Sequence, residues 1–280
     1  MKTVRYIKEI RDILSSYREE GKTIGLVPTM GALHDGHLSL IHQCMANDSI
    51  TVVSIFINPT QFNDEKDFRM YPRNTEKDLE LLKKNECHIV FLPPEKEMYP
   101  TKEIRKFDFG SLDKHMEGEF RPGHFNGVAQ IVTKLFSIIE PDHAYFGEKD
   151  FQQLTIIKAI VRQLNLPVQI ISCPIIREPD GLAMSSRNPL LTASERISAT
   201  KIPEALFKIK ELTDKMGINE LKEFLWNEID LDPNLRTEYV EIVEETGLNP
   251  VNNWDEPGSK RACIAVKVGS IRLIDNIKIS

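Results

Sequence analysis

The chain has 280 residues, 41% of them hydrophobic and 28% charged. That length allows one large domain or two modest ones, and that composition excludes disordered, collagen-like and coiled-coil chains. The 36 basic and 42 acidic residues leave a formal charge of −6, a poor starting point for a nucleic-acid binder.

Val4, Ile7, Ile10, Ile13, Leu14 and Tyr17 recur at helical spacing, and Gly21 stops the pattern. The apolar run 24–27 predicts a buried strand ended by Pro28. A loop follows, then a helical pattern with Leu38, Leu40, Ile41 and Met45. Residues 50–57 are nearly all β-branched, as in a strand buried on both faces. Residues 75–85 predict a helix, and 88–92 a strand closed by Pro93-Pro94. Helices are expected over 127–139 and 151–164, with strands over 144–146 and 168–173. Short strands alternating with longer helices predict an α/β chain, a Rossmann-like doubly wound parallel sheet.

The rhythm changes after about residue 178. Helices are expected over 193–212 and 219–227, and strands over 236–243, 263–267 and 271–277. The last two strands flank Val268-Gly269-Ser270 as a hairpin. The expected organisation is therefore a Rossmann-like α/β domain over 1–177 and a smaller α+β C-terminal domain over 178–280, the boundary falling within 175–190.

The acidity is uneven. Between Glu204 and Lys260 stand 14 acidic and 6 basic residues, so the rest of the chain carries a net +2 and nothing that repels an anion. Cys44, Cys87, Cys173 and Cys263 form no C-x-x-C pair and read as buried, reduced thiols of a cytoplasmic protein. Residues 1–20 are charged throughout, so no secretory leader is expected. No apolar run approaches the roughly 18 residues of a membrane span.

In an open parallel sheet, ligands bind beyond the carboxyl ends of the strands. Four loops there are rich in polar residues. His34-Asp35-Gly36-His37 sits where a loop becomes a helix, and a helix N-terminus suits phosphate. Gly36 lets an anion approach, and two imidazoles can donate to phosphate oxygens as charge develops. A metal pair is the rival reading, without a clear third ligand nearby; an ordinary polar loop is the other. Lys149 opens a helix after a short strand, as a phosphate-reaching lysine does, or as a solvated one. Met184-Ser185-Ser186-Arg187 offers two hydroxyls and a guanidinium, donors for a polyphosphate or parts of a capped turn. Gln61 and Gln153 are amides able to read a carboxylate or a hydroxyl.

The run 28–40, the Asn58-Pro59-Thr60-Gln61-Phe62 loop, the segment 146–153 and the segment 180–188 together resemble the pantothenate synthetase (pantoate–β-alanine ligase) family. The likeness is strong through Asn188 and weaker beyond it. That family belongs to the nucleotidylyltransferases with an H-x-G-H loop, akin to class I aminoacyl-tRNA synthetases.

The resemblance implies a two-step ligase. ATP and (R)-pantoate give pantoyl adenylate and pyrophosphate; β-alanine then gives pantothenate and AMP. It implies Mg²⁺ accompanying the ATP, no tightly bound organic cofactor, no protein-held metal, and a homodimer formed through the N-terminal domain. Met30, Gly31, Ala32, Leu33, His34, Asp35, Gly36 and His37 would line the ATP site. His34 and His37 would stabilise the departing pyrophosphate, with His37 in the proton-donor role. Gly147, Glu148, Lys149 and Asp150 would contact ATP, Lys149 on the phosphates and Asp150 near the ribose. The Ile176 backbone would meet the adenine. Met184, Ser185, Ser186 and Arg187 would close over the phosphates, making 184–188 the candidate lid. Gln61 and Gln153 would hold pantoate, with Gln61 also near β-alanine. Asn58, Asp78 and Arg121 are second-line candidates.

Two other readings stand beside the ligase. A simple nucleotidylyltransferase needs the two histidines but not the glutamine-lined pocket. An RNA-binding relative of the synthetases needs a basic surface, which the acidic segment 204–260 opposes.

Overall fold

Residues 1–65 and 67–280 are described in a computed structural model. In chain order they form β1 (Lys2–Val4), α1 (Ile7–Glu19), β2 (Ile24–Thr29), α2 (Asp35–Asn47), β3 (Ile50–Ile55), α3 (Glu65–Met70), α4 (Thr75–Lys84), β4 (Ile89–Phe91), α5 (Glu95–Met98), α6 (Glu117–Phe120), α7 (His124–Ile139), β5 (His143–Gly147), α8 (Phe151–Gln163), β6 (Gln169–Cys173), α9 (Ala193–Ala199), α10 (Lys201–Lys210), α11 (Ile218–Asp230), β7 (Leu235–Glu244), β8 (Lys260–Val268) and β9 (Ile271–Lys278). The chain divides into two compact units. The first comprises residues 1–109, 121–148 and 156–174, the second 110–120, 149–155 and 175–280.

The first unit is built on a sheet ordered β1-β4-β3-β2-β5-β6, with every described pairing parallel. All six residues of β3 are buried, as expected of a β-branched strand covered on both faces. Leu38, Leu40, Ile41 and Cys44 of α2 pack in one cluster with Val27, Val53, Val90 and Tyr145. Each such aliphatic side chain contributes about 1.5–3 kcal/mol on full burial. From β2 the chain winds outward through β3 and β4, then returns to place β5 on the other side of β2 and continues to β6. The order reverses between β2 and β5, the place where doubly wound sheets open a crevice at the strands' carboxyl ends.

The second unit carries an antiparallel sheet ordered β7-β8-β9. Its two faces follow the period-2 alternation of β8. Ala262, Ile264 and Val266 face Leu206 and Ile209 of α10 and Leu221 and Leu225 of α11. Cys263 and Ala265 face Phe151 and Met116, from the two short segments that join this unit. Both faces are covered, which is why β8 is buried almost end to end.

Three boundaries differ from the sequence expectation. Val4 belongs not to the first helix but to β1, where it pairs with Phe91; its three-residue spacing to Ile7 mimics a helical face. Pro28 does not end β2, which continues to Thr29 alongside β3. Pairing with β5 involves only Gly25 and Leu26, so on that side a missing N–H at position 28 costs no ladder bond. The helix expected over 193–212 is two helices joined at Thr200. Pro203 cannot donate to the carbonyl of Ala199, and its ring clashes there.

Candidate active site

In the first unit, β2 ends in the loop that carries the paired histidines. Thr29 Oγ1 donates to the Ser54 carbonyl (2.8 Å) and accepts from the Gly31 N–H (3.2 Å). Gly31 and Ala32 then both take positive φ, 83° and 51°. The second is uncommon for a residue with a side chain. What holds it is Asp78 of α4, whose carboxylate accepts the N–H groups of Ala32 (2.9 Å) and Leu33 (2.8 Å). A Cβ at position 31 would lie 2.9 Å from that carboxylate, so the turn needs glycine for space as well as for φ.

His34 is the N-cap of α2, in extended conformation. The first N–H groups of a helix have no acceptor within it and carry partial positive charge. The imidazoles of His34 and His37 lie with centroids 4.1 Å apart, tilted by 46°, and His37 Nδ1 stands 3.4 Å from the His34 N–H. Two aromatic donors therefore flank an amide-rich helix start, at the reversal of the sheet. Among the described residues, no group of three or more His, Cys, Asp or Glu is placed to hold a metal ion.

Gln61 follows β3 on a single 3₁₀ turn, Pro59–Gln61, and is buried. Three partners fix it. Asn58 Nδ2 donates to Gln61 Oε1 (3.2 Å), and Gln61 Nε2 donates to Met30 Sδ (3.1 Å). The His124 ring, through Nδ1, meets the Gln61 carbonyl at 2.8 Å. Arg121 approaches Nε2 of the same ring at 3.3 Å. A guanidinium only donates, so Nε2 accepts and Nδ1 carries the proton given to Gln61. Asn58 is held in turn: its Nδ2 also reaches the Gly127 carbonyl (3.0 Å), and its Oδ1 accepts from Tyr99 (2.8 Å) and Thr60 (3.1 Å). Burial pushes the Tyr99 phenol up to about 12, so it remains a donor at neutral pH. Met30 of the histidine loop and Gln61 are thus in contact. Gly147 ends β5 and Glu148 follows it.

The other candidates belong to the second unit. Lys149 and Asp150 complete the 3₁₀ turn that leads into α8, with Asp150 exposed. The neighbouring glutamines divide their work. Gln152, 5% exposed, donates to the carbonyls of Leu112 and His115 and accepts the Glu117 N–H. It binds segment 110–120 to α8, while Gln153 on the next helical position stays partly exposed.

Ile176 accepts the Met184 N–H at 3.0 Å, and Arg177 pairs with Ala183, so the stretch folds back on itself as a short hairpin. Asn188 ties the end of this loop to Glu178 (2.6 Å) and to the Ala183 carbonyl (3.1 Å). Arg196 braces it through Glu178 (2.7 Å) and Asp180 (2.5 Å). The predicted adenine contact and the predicted phosphate loop are therefore bonded backbone to backbone.

The four cysteines are free and buried. Burial pushes Cys44 and Cys263 up to about 12, and Cys87 and Cys173 to about 11. As protonated thiols they supply no nucleophile. Sequence reasoning overlooked Tyr99 and His124. His124 had one weak signal, its place in Arg121-Pro122-Gly123-His124 at a helix start.

Comparison with known proteins bears on the whole chain. Residues 2–278 match the family described as Pantoate-beta-alanine ligase. The chain is 50% identical over 279 residues to the pantothenate synthetase of Phocaeicola vulgatus, covering 99% of each. The crystal structure of pantothenate synthetase from Thermus thermophilus superposes with a TM-score of 0.93 at 36% identity, covering 100% of this chain and 99% of that one. The pantoate-beta-alanine ligase of Francisella tularensis, solved in complex with beta-gamma ATP and beta-alanine, gives 0.85 at 35% identity, covering 100% and 98%.

Proposed function

The chain belongs to the pantoate-beta-alanine ligase family, and from that we propose that it condenses pantoate with β-alanine at the expense of ATP. A free carboxylate is a poor acyl donor because oxide would have to leave. In the first step a pantoate carboxylate oxygen attacks the α-phosphorus of ATP, and pyrophosphate departs. In the second, the β-alanine amine attacks the acyl carbon of the adenylate, loses a proton, and AMP departs. Neither step needs a protein nucleophile, in keeping with four protonated, buried thiols.

The observation that carries this reading is the histidine loop at the sheet's reversal, with Gln61 held against Met30. Helix-start amides and two imidazoles suit the nucleotide phosphates, and a buried amide with fixed orientation suits a hydroxy acid. On this reading Met30–His37, Gly147–Asp150, the Ile176 backbone and residues 184–187 bind ATP, with His34, His37 and Lys149 on the phosphates. Gln61 and Gln153 hold pantoate, Gln61 also lies near β-alanine, and 184–188 is the lid that shields the adenylate from water. Mg²⁺ enters as the ion of MgATP, a substrate.

We read 1–177 as the nucleotide- and pantoate-binding domain and 178–280 as the cap, and the protein as a cytoplasmic homodimer. The buried free thiols support a reducing compartment. Among the described residues, no helix is long and apolar enough to cross a membrane.

The test is pantoate-dependent exchange of labelled pyrophosphate into ATP without β-alanine. Exchange is expected, with AMP and an amide released once β-alanine is added. Folded protein that gives no exchange would refute the two-step route.

A further inference from the structure

Two adjacent residues of β9 belong to no motif, yet both reach segments assigned above to ATP. Asn276 is 2% exposed and Asp275 3%. Successive strand residues face opposite sides of a sheet. Asn276 pairs across with Cys263, on the face covered by Phe151. Asp275 pairs with Ile264, on the face covered by Leu182 and the helices. One strand thus serves two loops, one on each side.

On the first face, Arg261 Nη1 donates to Asn276 Oδ1 (2.6 Å), which leaves the amide nitrogen to point the other way. That nitrogen donates to the Lys149 backbone carbonyl at 2.9 Å. The Arg261 guanidinium also lies 4.1 Å from the Phe151 ring centroid, closing on the same turn from its other end. On the second face, Asp275 takes both arms of Arg177, at 2.6 and 2.9 Å. Arg177 also donates to the Gly181 carbonyl (3.0 Å), so its position governs the hairpin that carries Ile176 and Met184. A buried bidentate ion pair and a buried amide have narrow geometric tolerance, which suits them to placing something else.

We propose that Asp275 and Asn276 are positioning residues for adenylation: Asn276 sets the backbone from which Lys149 reaches the phosphates, and Asp275 sets the hairpin that receives the nucleotide. The proposal rests on the ligase reading. Neither residue touches substrate; each acts through the segment it holds.

The experiment is pantoate-dependent ATP–pyrophosphate exchange with full-length wild type, Asn276→Ala, Asn276→Asp, Asp275→Asn and the exposed-surface control Lys208→Ala, each checked for fold by circular dichroism and thermal midpoint. Asn276→Asp keeps an acceptor for Arg261 but replaces the donor to Lys149 by an anionic oxygen that repels its carbonyl, whereas Asn276→Ala removes the donor without adding charge. Folded Asn276 variants are expected to lose about 10- to 100-fold in kcat with the pantoate KM unchanged, the cost of a small misplacement of a reacting group. Asp275→Asn is expected to raise the ATP KM about tenfold with a smaller loss in kcat. Lys208→Ala is expected to behave as wild type.

Exchange by wild type together with unchanged constants in the folded variants overturns the positioning roles alone. Loss of fold in both Asn276 variants overturns the Asn276 role, and loss of fold in Asp275→Asn overturns the Asp275 role, because each residue is then a determinant of the fold. Absence of exchange in wild type overturns the ligase reading and, with it, the proposal.

Discussion

Asp78 and His37 stand within one loop and its support, yet substitution should separate them. Asp78 is buried and satisfies two backbone N–H groups with one carboxylate. Asp78→Ala strands both donors beneath a turn that holds Ala32 at positive φ. Each unmet buried donor costs about 1–3 kcal/mol, so thermal unfolding should fall clearly and the ATP KM should rise. Asp78→Asn keeps one carbonyl acceptor and should lose about half as much. His37 works more locally: its Nδ1 stands 3.4 Å from the His34 N–H as one half of a reciprocal cap on α2, and its ring lies against that of His34. His37→Ala gives up that single cap bond, so it should lower the melting temperature less than Asp78→Ala while losing about 10²- to 10³-fold in kcat, the cost of one transition-state donor. Wild-type turnover in that variant would remove His37 from the chemistry. The histidine pair was legible in the sequence because its spacing and its glycine are local. The carboxylate's role was not, since nothing near Asp78 points to a loop 45 residues upstream.

Between elements, α7 packs closely on the 59–61 turn of the first unit. A Cβ on Gly127 would overlap the Thr60 carbonyl, and the Gly127 carbonyl itself accepts from Asn58. Gly127→Ala must push that turn away, moving Gln61 relative to Met30 and to His124. Overpacking of this kind costs about 1–3 kcal/mol. The kinetic signature should be selective: a pantoate KM raised about tenfold while the ATP KM stays near wild type, because the histidine loop hangs from Asp78 and not from α7. Equal loss in both constants would mean that the whole sheet edge had moved. Element type was legible wherever apolar periodicity is a local property, as in β3 and α2. It failed at Val4, whose spacing fits a helix while its partner Phe91 lies in a distant strand. It failed again at Pro203, where a steric break interrupts an intact apolar pattern. Tethers such as Asn276 to Lys149 leave no trace in spacing, because they arise only when chain segments 127 residues apart are folded together.

Over the whole molecule, the groups that most oppose ionisation are acids buried in their neutral form. Burial raises Cys44, Cys87 and Cys173 from an ordinary 9.0 to about 12, 11 and 11 in the first unit, and Cys263 to about 12 in the second. Tyr99 is raised to about 12; Tyr145, which donates to Asp48, and Tyr239, which donates to Glu117, are raised further, in each case first by burial. The sign follows from linkage. In the unfolded chain these groups release their protons near pH 9 to 10, while the folded chain keeps them, so the unfolded state gains as pH rises through that range. Their contribution is whole below the unfolded values and is lost as pH climbs toward the folded ones. The midpoint of urea unfolding, measured under reducing conditions, should therefore be steady between about pH 7 and 8 and fall continuously from about pH 9 upward. Most of the raised groups lie in the first unit, so amides in 1–109 should lose exchange protection with alkali more steeply than those in 175–280. Cys87→Ala should lower stability at neutral pH yet flatten the alkaline decline, since it removes one of the titrating groups. An alkaline profile as level as the neutral one, or a Cys87→Ala profile parallel to wild type, would show that these protons are not what the fold retains.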